Sequence, residues 1–250
     1  MSLRIAFSGK GGSGKTTLSA LAIKFFIEKK LTPILAVDAD PNSNLNVVLG
    51  LELKETIADV REDVLEGKVS RSETKNEFVF RRLNEILVEG EGIDLLAMGR
   101  PEGPGCYCAV NHLLRDYLSK ISSQYKVVIM DTEAGMEHLS RRTTDDLDIL
   151  FIVATDDPVS FMSACRTQEI AKKLKLKIKN IYLILNRINS KSSSIEKEVD
   201  KKGFKLLGVI PEDSQINSFW KSGKPLIELT DSVAYQNLSK LLEGAINILR

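Results

Sequence analysis

Seven short, nearly unbroken apolar runs are spread along the chain: Ile5-Ala6-Phe7, Ile34-Leu35-Ala36-Val37, residues 93–97, 127–130, 149–153, 181–185 and 206–210. They do not alternate in polarity, which is the pattern of strands covered on both faces. After the first run Leu18, Leu21, Ala22 and Phe25 recur at helical spacing, and the chain closes with Leu238, Leu241, Leu242, Ala245 and Leu249 on one helical face. Residues 4–38 therefore read as strand, helix, strand, a unit whose right-handed crossover makes its strands parallel. The pattern predicts an α/β fold, a mostly parallel sheet flanked by helices on both faces. Residues 52–92 depart from it. They are charge-dense, with weak apolar periodicity around Val60, Val64, Leu83, Ile86 and Leu87, and read as surface helices and loops. Ser190-Lys191-Ser192-Ser193-Ser194 reads as a loop before a helix.

Composition narrows the picture. At 250 residues, one core and one domain over 1–250 are expected. Lys plus Arg number 35 against 34 Asp plus Glu, so a net charge of +1 supplies no field for nucleic acid or an anionic membrane, and neither is expected as a partner. No run approaches the about 18 apolar residues that cross a bilayer. The start, Met-Ser-Leu-Arg, lacks a signal peptide's longer apolar stretch. Three oddly spaced cysteines do not make a disulfide framework, and a cytoplasmic location with free thiols is expected.

The strongest chemical signal is Gly9-Lys10-Gly11-Gly12-Ser13-Gly14-Lys15-Thr16, which follows a predicted strand and opens a predicted helix. Glycines allow positive φ, so the N–H groups of Gly11 to Thr17 can turn inward and cradle an anion at the positive end of the helix. Lys15 adds a full charge for the β- and γ-phosphates, and the Thr16 hydroxyl can ligate Mg²⁺. Asp131 follows the strand at 127–130, while Asp38 and Asp40 end the strand at 34–37. In a parallel sheet all three sit on the rim where ligands collect. Alone, an aspartate after a strand is as well read as a cap or turn residue. Three beside a phosphate loop point to Mg²⁺ and water positioning, hence to a nucleoside triphosphatase acting on Mg-ATP.

Lys10 is an additional lysine inside the loop, and Lys-Gly-Gly-Ser-Gly-Lys-Thr-Thr resembles the deviant Walker A of P-loop NTPases of the MinD/ParA/iron-protein superfamily. The resemblance extends over nearly the whole chain. Val37-Asp38-Ala39-Asp40-Pro41-Asn42 is similar to switch I of that superfamily, and Asp131-Thr132-Glu133-Ala134-Gly135 to its switch II. It implies that Lys10 reaches across a homodimer to the partner's phosphates, that Asp40 orients the attacking water, and that Asp131 and Asp38 belong to the Mg²⁺ shell. It also implies adenine contacts for Asn186, Arg187 and Pro211, after two later strands. Asn186 on its own is equally well read as a turn residue.

Gly105-Cys106-Tyr107-Cys108 lies in a Gly/Pro-rich loop where burial as a small hydrophobe is not expected. A disulfide between thiols at i and i+2 would be strained. Two thiolates do not fill a tetrahedral shell, but two copies on a two-fold axis supply four. The alternative is a pair of unused surface thiols. Gly-Cys-x-Cys before a helix, together with Asp131-Thr132-Glu133-Ala134-Gly135-Met136-Glu137-His138-Leu139, resembles the CooC-type accessory ATPases of carbon monoxide dehydrogenase maturation. That resemblance implies Ni²⁺ or Zn²⁺ held by Cys106 and Cys108 of two chains, and a nickel metalloenzyme as client. The sequence departs from the family at Arg142, where a Gly is expected.

Other candidates read more plainly. Cys165 is expected in a helix as a packed thiol and His112 on a helix surface; His138 faces either the nucleotide switch or solvent, and Arg141 and Arg142 form a solvated pair. Two rival functions share the nucleotide residues. A positioning ATPase on DNA or membrane would want a basic stripe or a basic amphipathic tail, yet Ala245-Ile246-Asn247-Ile248-Leu249-Arg250 carries one Arg. A protein like the nitrogenase iron protein would want well-separated cysteines before and after switch II.

Overall fold

The computed structural model describes residues 2–100, 107–133, 146–173, 176–189, 199 and 202–248. Its strands are β1 (Leu3–Gly9), β2 (Ile34–Ala39), β3 (Val88–Gly90), β4 (Ile93–Ala97), β5 (Val127–Thr132), β6 (Leu147–Ala154), β7 (Ile178–Ile188) and β8 (Leu206–Pro211). They form one sheet in the order β3-β4-β2-β5-β1-β6-β7-β8. Every described pairing is parallel except β3 with β4. Each predicted run is a strand; β3, a three-residue edge strand, carried no run long enough to foretell it.

Helices cover both faces. One face carries α1 (Lys15–Glu28), α2 (Leu45–Leu49) and, from the end of the chain, α8 (Val233–Asn247). The other carries α3 (Ile57–Leu65), α4 (Lys75–Glu85), α5 (Tyr107–Ile121) and α6 (Pro158–Lys173). The remaining helix, α7 (Ser214–Ser222), follows β8 and buries none of its residues. Alternate strand residues feed the two cores: Ile5 and Phe7 pack with α1, Ala6 with the opposite layer. Burial on both faces is why the runs are continuous. Leu238, Leu242 and Ala245 are buried as expected, and Leu249 lies outside the described residues.

Residues 52–92 correct the reading of a surface segment. Val60, Phe78, Leu83 and Ile86 are buried in the core beneath α3 and α4. The charges that hid the pattern pair with one another along the outer side. Arg82 bridges Asp63 on α3 and Glu55 before it, with contacts of 2.9 and 2.6 Å, and Lys68 meets Asp63 at 2.7 Å. Thr56 and Thr74 both form capping boxes, with Asp59 and Glu77, a helix-start signal present in the sequence. The loop read at Ser190–Ser194 lies outside the described residues.

Candidate nucleotide site

The strand order puts β1 between β5 and β6, with β2 beyond β5, so the carboxyl ends of β1, β2 and β5 share one rim. Register does the rest. Asp131 lies beside Phe7 of β1 and directly opposite Asp38 of β2. The loop from Gly9 turns over this rim, with Gly9, Gly12 and Gly14 at positive φ, and delivers its chain into α1 at Lys15. Gly14 is required twice over. Its φ is 95°, and a Cβ there would stand 2.3 Å from the side-chain nitrogen of Asn186.

The loop presents donors in search of an anion. Lys15 is 7% exposed, and among the described residues its Nζ hydrogen-bonds to the carbonyl of Lys10, at 3.4 Å. Burial lowers its pKa, while the charges of Asp131, Asp40 and Glu133 oppose that shift. Ser13 Oγ is buried and hydrogen-bonded to no described atom. A buried ammonium and a buried unpaired hydroxyl at a helix N-terminus fit a phosphate.

Two carboxylates face the same space. Asp38 and Asp131 are 1% and 2% exposed. Burial, reinforced by Asp131, raises the Asp38 carboxyl to about 7. Burial likewise raises Asp131 to about 6, against the Thr16 hydroxyl, Lys15 and Ser19. Two buried, repelling carboxylates with the Thr16 hydroxyl beside them fit a divalent cation. Among the described residues no three His, Cys, Asp or Glu converge as an all-protein metal site. Mg²⁺ does not need one, since it keeps waters and phosphate oxygens and takes one or two carboxylates. Thr16, Asp131 and Asp38 would hold it, and when bound it neutralises charge on the phosphates.

The CobQ/CobB/MinD/ParA nucleotide binding domain matches residues 5–226, a span that takes in the loop, both aspartate strands, Asn186 and Pro211. The chain belongs to this family. It is an ATPase of that family with the MinD/ParA fold. An ATP-binding protein of Methanocaldococcus jannaschii is 40% identical over 250 aligned residues, which cover 97% of this chain and 98% of that one. The carbon monoxide dehydrogenase accessory protein CooC of Rhodospirillum rubrum is 31% identical, across 96% of this chain and 97% of that protein. Among solved structures, the septum site-determining protein MinD complexed with Mg-ADP, from Pyrococcus horikoshii, superposes with a TM-score of 0.74. At 24% identity, covering 100% of this chain and 98% of that one, it shows the shared fold.

The remaining candidates of this family member fall in three groups. Asn186, Arg187 and Pro211 come together at the ends of β7 and β8, with Thr17 and Asp213 around a hollow of about 20 Å³. Here Asn186 donates to the carbonyl of Ser13 at 2.8 Å and Arg187, at φ 58°, to that of Gly12 at 3.2 Å. Both brace the phosphate loop.

Lys10 stands outside the cradle. Its Nζ lies 3.1 Å from Asp157, which caps α6 through the N–H groups of Val159 and Ser160. The sequence reading missed Asp157 as a partner of Lys10, although Asp157-Pro158 is a legible helix start. Asp40 is half-buried after β2, and its Oδ1 accepts from the backbone and side-chain nitrogens of Asn42. Asp38 accepts from the N–H groups of Asp40 and Leu45, so it pins both ends of the Asp40 loop as well as facing Asp131.

Cys106, His138, Arg141 and Arg142 lie outside the described residues, as does the side chain of Cys108 at the start of α5. His112 is on the surface of α5 as expected, 3.2 Å from Asp116. Cys165 packs part-buried against the core. A larger hollow of about 600 Å³, between α3, α4 and α5, touches none of the phosphate-loop residues, so volume does not mark the site.

Proposed function

We propose that this ATPase is a cytoplasmic, homodimeric metal-delivery factor whose cargo is Ni²⁺, with Zn²⁺ as a substitute in vitro, and whose client is a nickel metalloenzyme such as carbon monoxide dehydrogenase. The observation that carries the reading is the near full-length likeness to CooC in a chain that also holds Gly105-Cys106-Tyr107-Cys108. Cys106 and Cys108 of two chains together supply the four thiolates of a closed cargo site. Lys15 binds the phosphates, Asp40 orients the attacking water, and Lys10 leaves Asp157 to complete the partner's site. The exposed position of the Lys10–Asp157 pair supports this, because little desolvation opposes its opening.

MinD-like positioning shares this nucleotide machinery, so the fold does not choose between the two. The cargo does. Equilibrium dialysis of the full chain against Ni²⁺, with sedimentation in parallel, is expected to saturate at one metal per dimer. Cys106→Ser/Cys108→Ser is expected to lose it. Full metal binding by that double variant as a monomer would overturn the shared site.

A further inference from the structure

The Asp40 loop is fastened to the neighbouring strand by one side chain. Ser43 has φ 42°, a left-handed conformation that a residue with a Cβ keeps only when its surroundings hold it there. Its hydroxyl does both things a hydroxyl can. It donates to the carbonyl of Asp40 at 3.3 Å and accepts from the N–H of Gly99 at 3.3 Å, while the Ser43 N–H reaches the same Asp40 carbonyl at 3.0 Å.

Gly99 ends the segment that leaves β4. Just before it, Met98 donates to the Asp38 carbonyl at 2.8 Å and accepts from Ala58 of α3 at 3.0 Å. Gly99 has φ 68°, and a Cβ there would stand 2.0 Å from the hydroxyl of Thr56, the cap of α3. The end of β4 is thus held between the Asp40 loop and α3. It has little freedom to stay behind when either one moves.

We propose that Ser43 is a positioning residue for hydrolysis that links the placement of Asp40 to the end of β4, so that nucleotide-driven movement of the Asp40 loop is carried to Met98 and Gly99. This rests on the reading of Asp40 given above. Ser43 acts through Asp40 and Gly99.

Three variants of the full chain separate hydroxyl from backbone. Ser43→Ala removes the hydroxyl and keeps the conformational strain. Ser43→Gly removes the hydroxyl and relieves the strain. Ser43→Asn keeps a donor and an acceptor on a residue that tolerates this conformation. The readouts are kcat and KM for Mg-ATP, and amide exchange at Met98 and Gly99 with ADP and with a non-hydrolysable ATP analogue. In the wild type, exchange is expected to differ between the two nucleotides. Ser43→Ala and Ser43→Gly are expected to erase that difference and to lower kcat about tenfold with KM within about twofold, amounts that a group acting through hydrogen bonds can supply. Ser43→Asn is expected to restore both. Wild-type behaviour of Ser43→Gly, or a nucleotide-dependent difference that persists in Ser43→Ala, would overturn the proposal. Asp40→Asn in the same assays keeps the two readings apart: wild-type kcat in that variant removes the reading of Asp40, while exchange at Met98 and Gly99 still decides on Ser43.

Discussion

Replacing Gly14 by alanine tests the phosphate loop where its geometry is tightest. Two costs follow from the structure. An L-residue at φ 95° lies in the left-handed region, at about 1–2 kcal/mol. The new Cβ would stand 2.3 Å from Asn186 Nδ2, so Asn186 must swing away and give up its 2.8 Å bond to Ser13, worth about 0.5–1.5 kcal/mol. Gly14→Ala is therefore expected to destabilise the fold by about 1.5–3.5 kcal/mol. Asn186→Ala removes only the hydrogen bond, at about 0.5–1.5 kcal/mol. The double variant loses that bond once, not twice. Its total should fall short of the sum of the singles by about 0.5–1.5 kcal/mol. Reversible urea unfolding of the four proteins measures the cycle, and titration with a fluorescent ADP analogue should show Gly14→Ala weakened about tenfold or more, or about 1.4 kcal/mol. Additivity within about 0.3 kcal/mol would refute the argument, because it would mean that the two side chains never compete for one space.

Three further outcomes are expected. Lys15→Ala should weaken nucleotide binding, whereas Lys10→Ala should leave binding intact and suppress phosphate release by about 10³-fold or more, as removal of a charge supplied in trans does; wild-type turnover by Lys10→Ala would dismiss the cross-dimer role. Asp40→Asn should trap an ATP-loaded state of normal Mg²⁺ dependence and Asp131→Asn should raise the Mg²⁺ requirement, so matching Mg²⁺ titrations would merge the two roles. Asp213 caps α7 through Gln215 and braces the start of α8 through Ser232 and Ala234, and although burial pushes its carboxyl up, those hydrogen bonds prevail and hold its pKa below the usual range. Its contribution is then present above the unfolded pKa of about 3.9 and lost as pH falls through the lower folded value; Asp213→Ala should cost about 1–2 kcal/mol at pH 7, and a gap between its urea midpoint and that of the wild type that does not narrow as pH falls below about 3.9 would contradict the assignment.

The local rules were written in the chain. Continuous apolar runs gave strands with two covered faces, and the glycines with Lys15 and Thr16 gave a strand-loop-helix cradle, because backbone conformation and burial on both sides depend on near neighbours. Asp38, Asp40 and Asp131 could be assigned to one rim because parallel strands all point the same way. What lay beyond the sequence were the pairings across long stretches of chain. Residues 52–92 read as surface helices and loops because charged neighbours blur the periodicity around Val60 and Leu83, and only the stacking of α3 and α4 on the sheet shows those charges paired outside and the apolar side chains within. Lys10 and Asp157 are 147 residues apart, Asn186 and Ser13 173, and Ser43 and Gly99 56. No spacing rule relates such pairs. Strand order and register bring them together, and those are settled by the packing of the whole sheet.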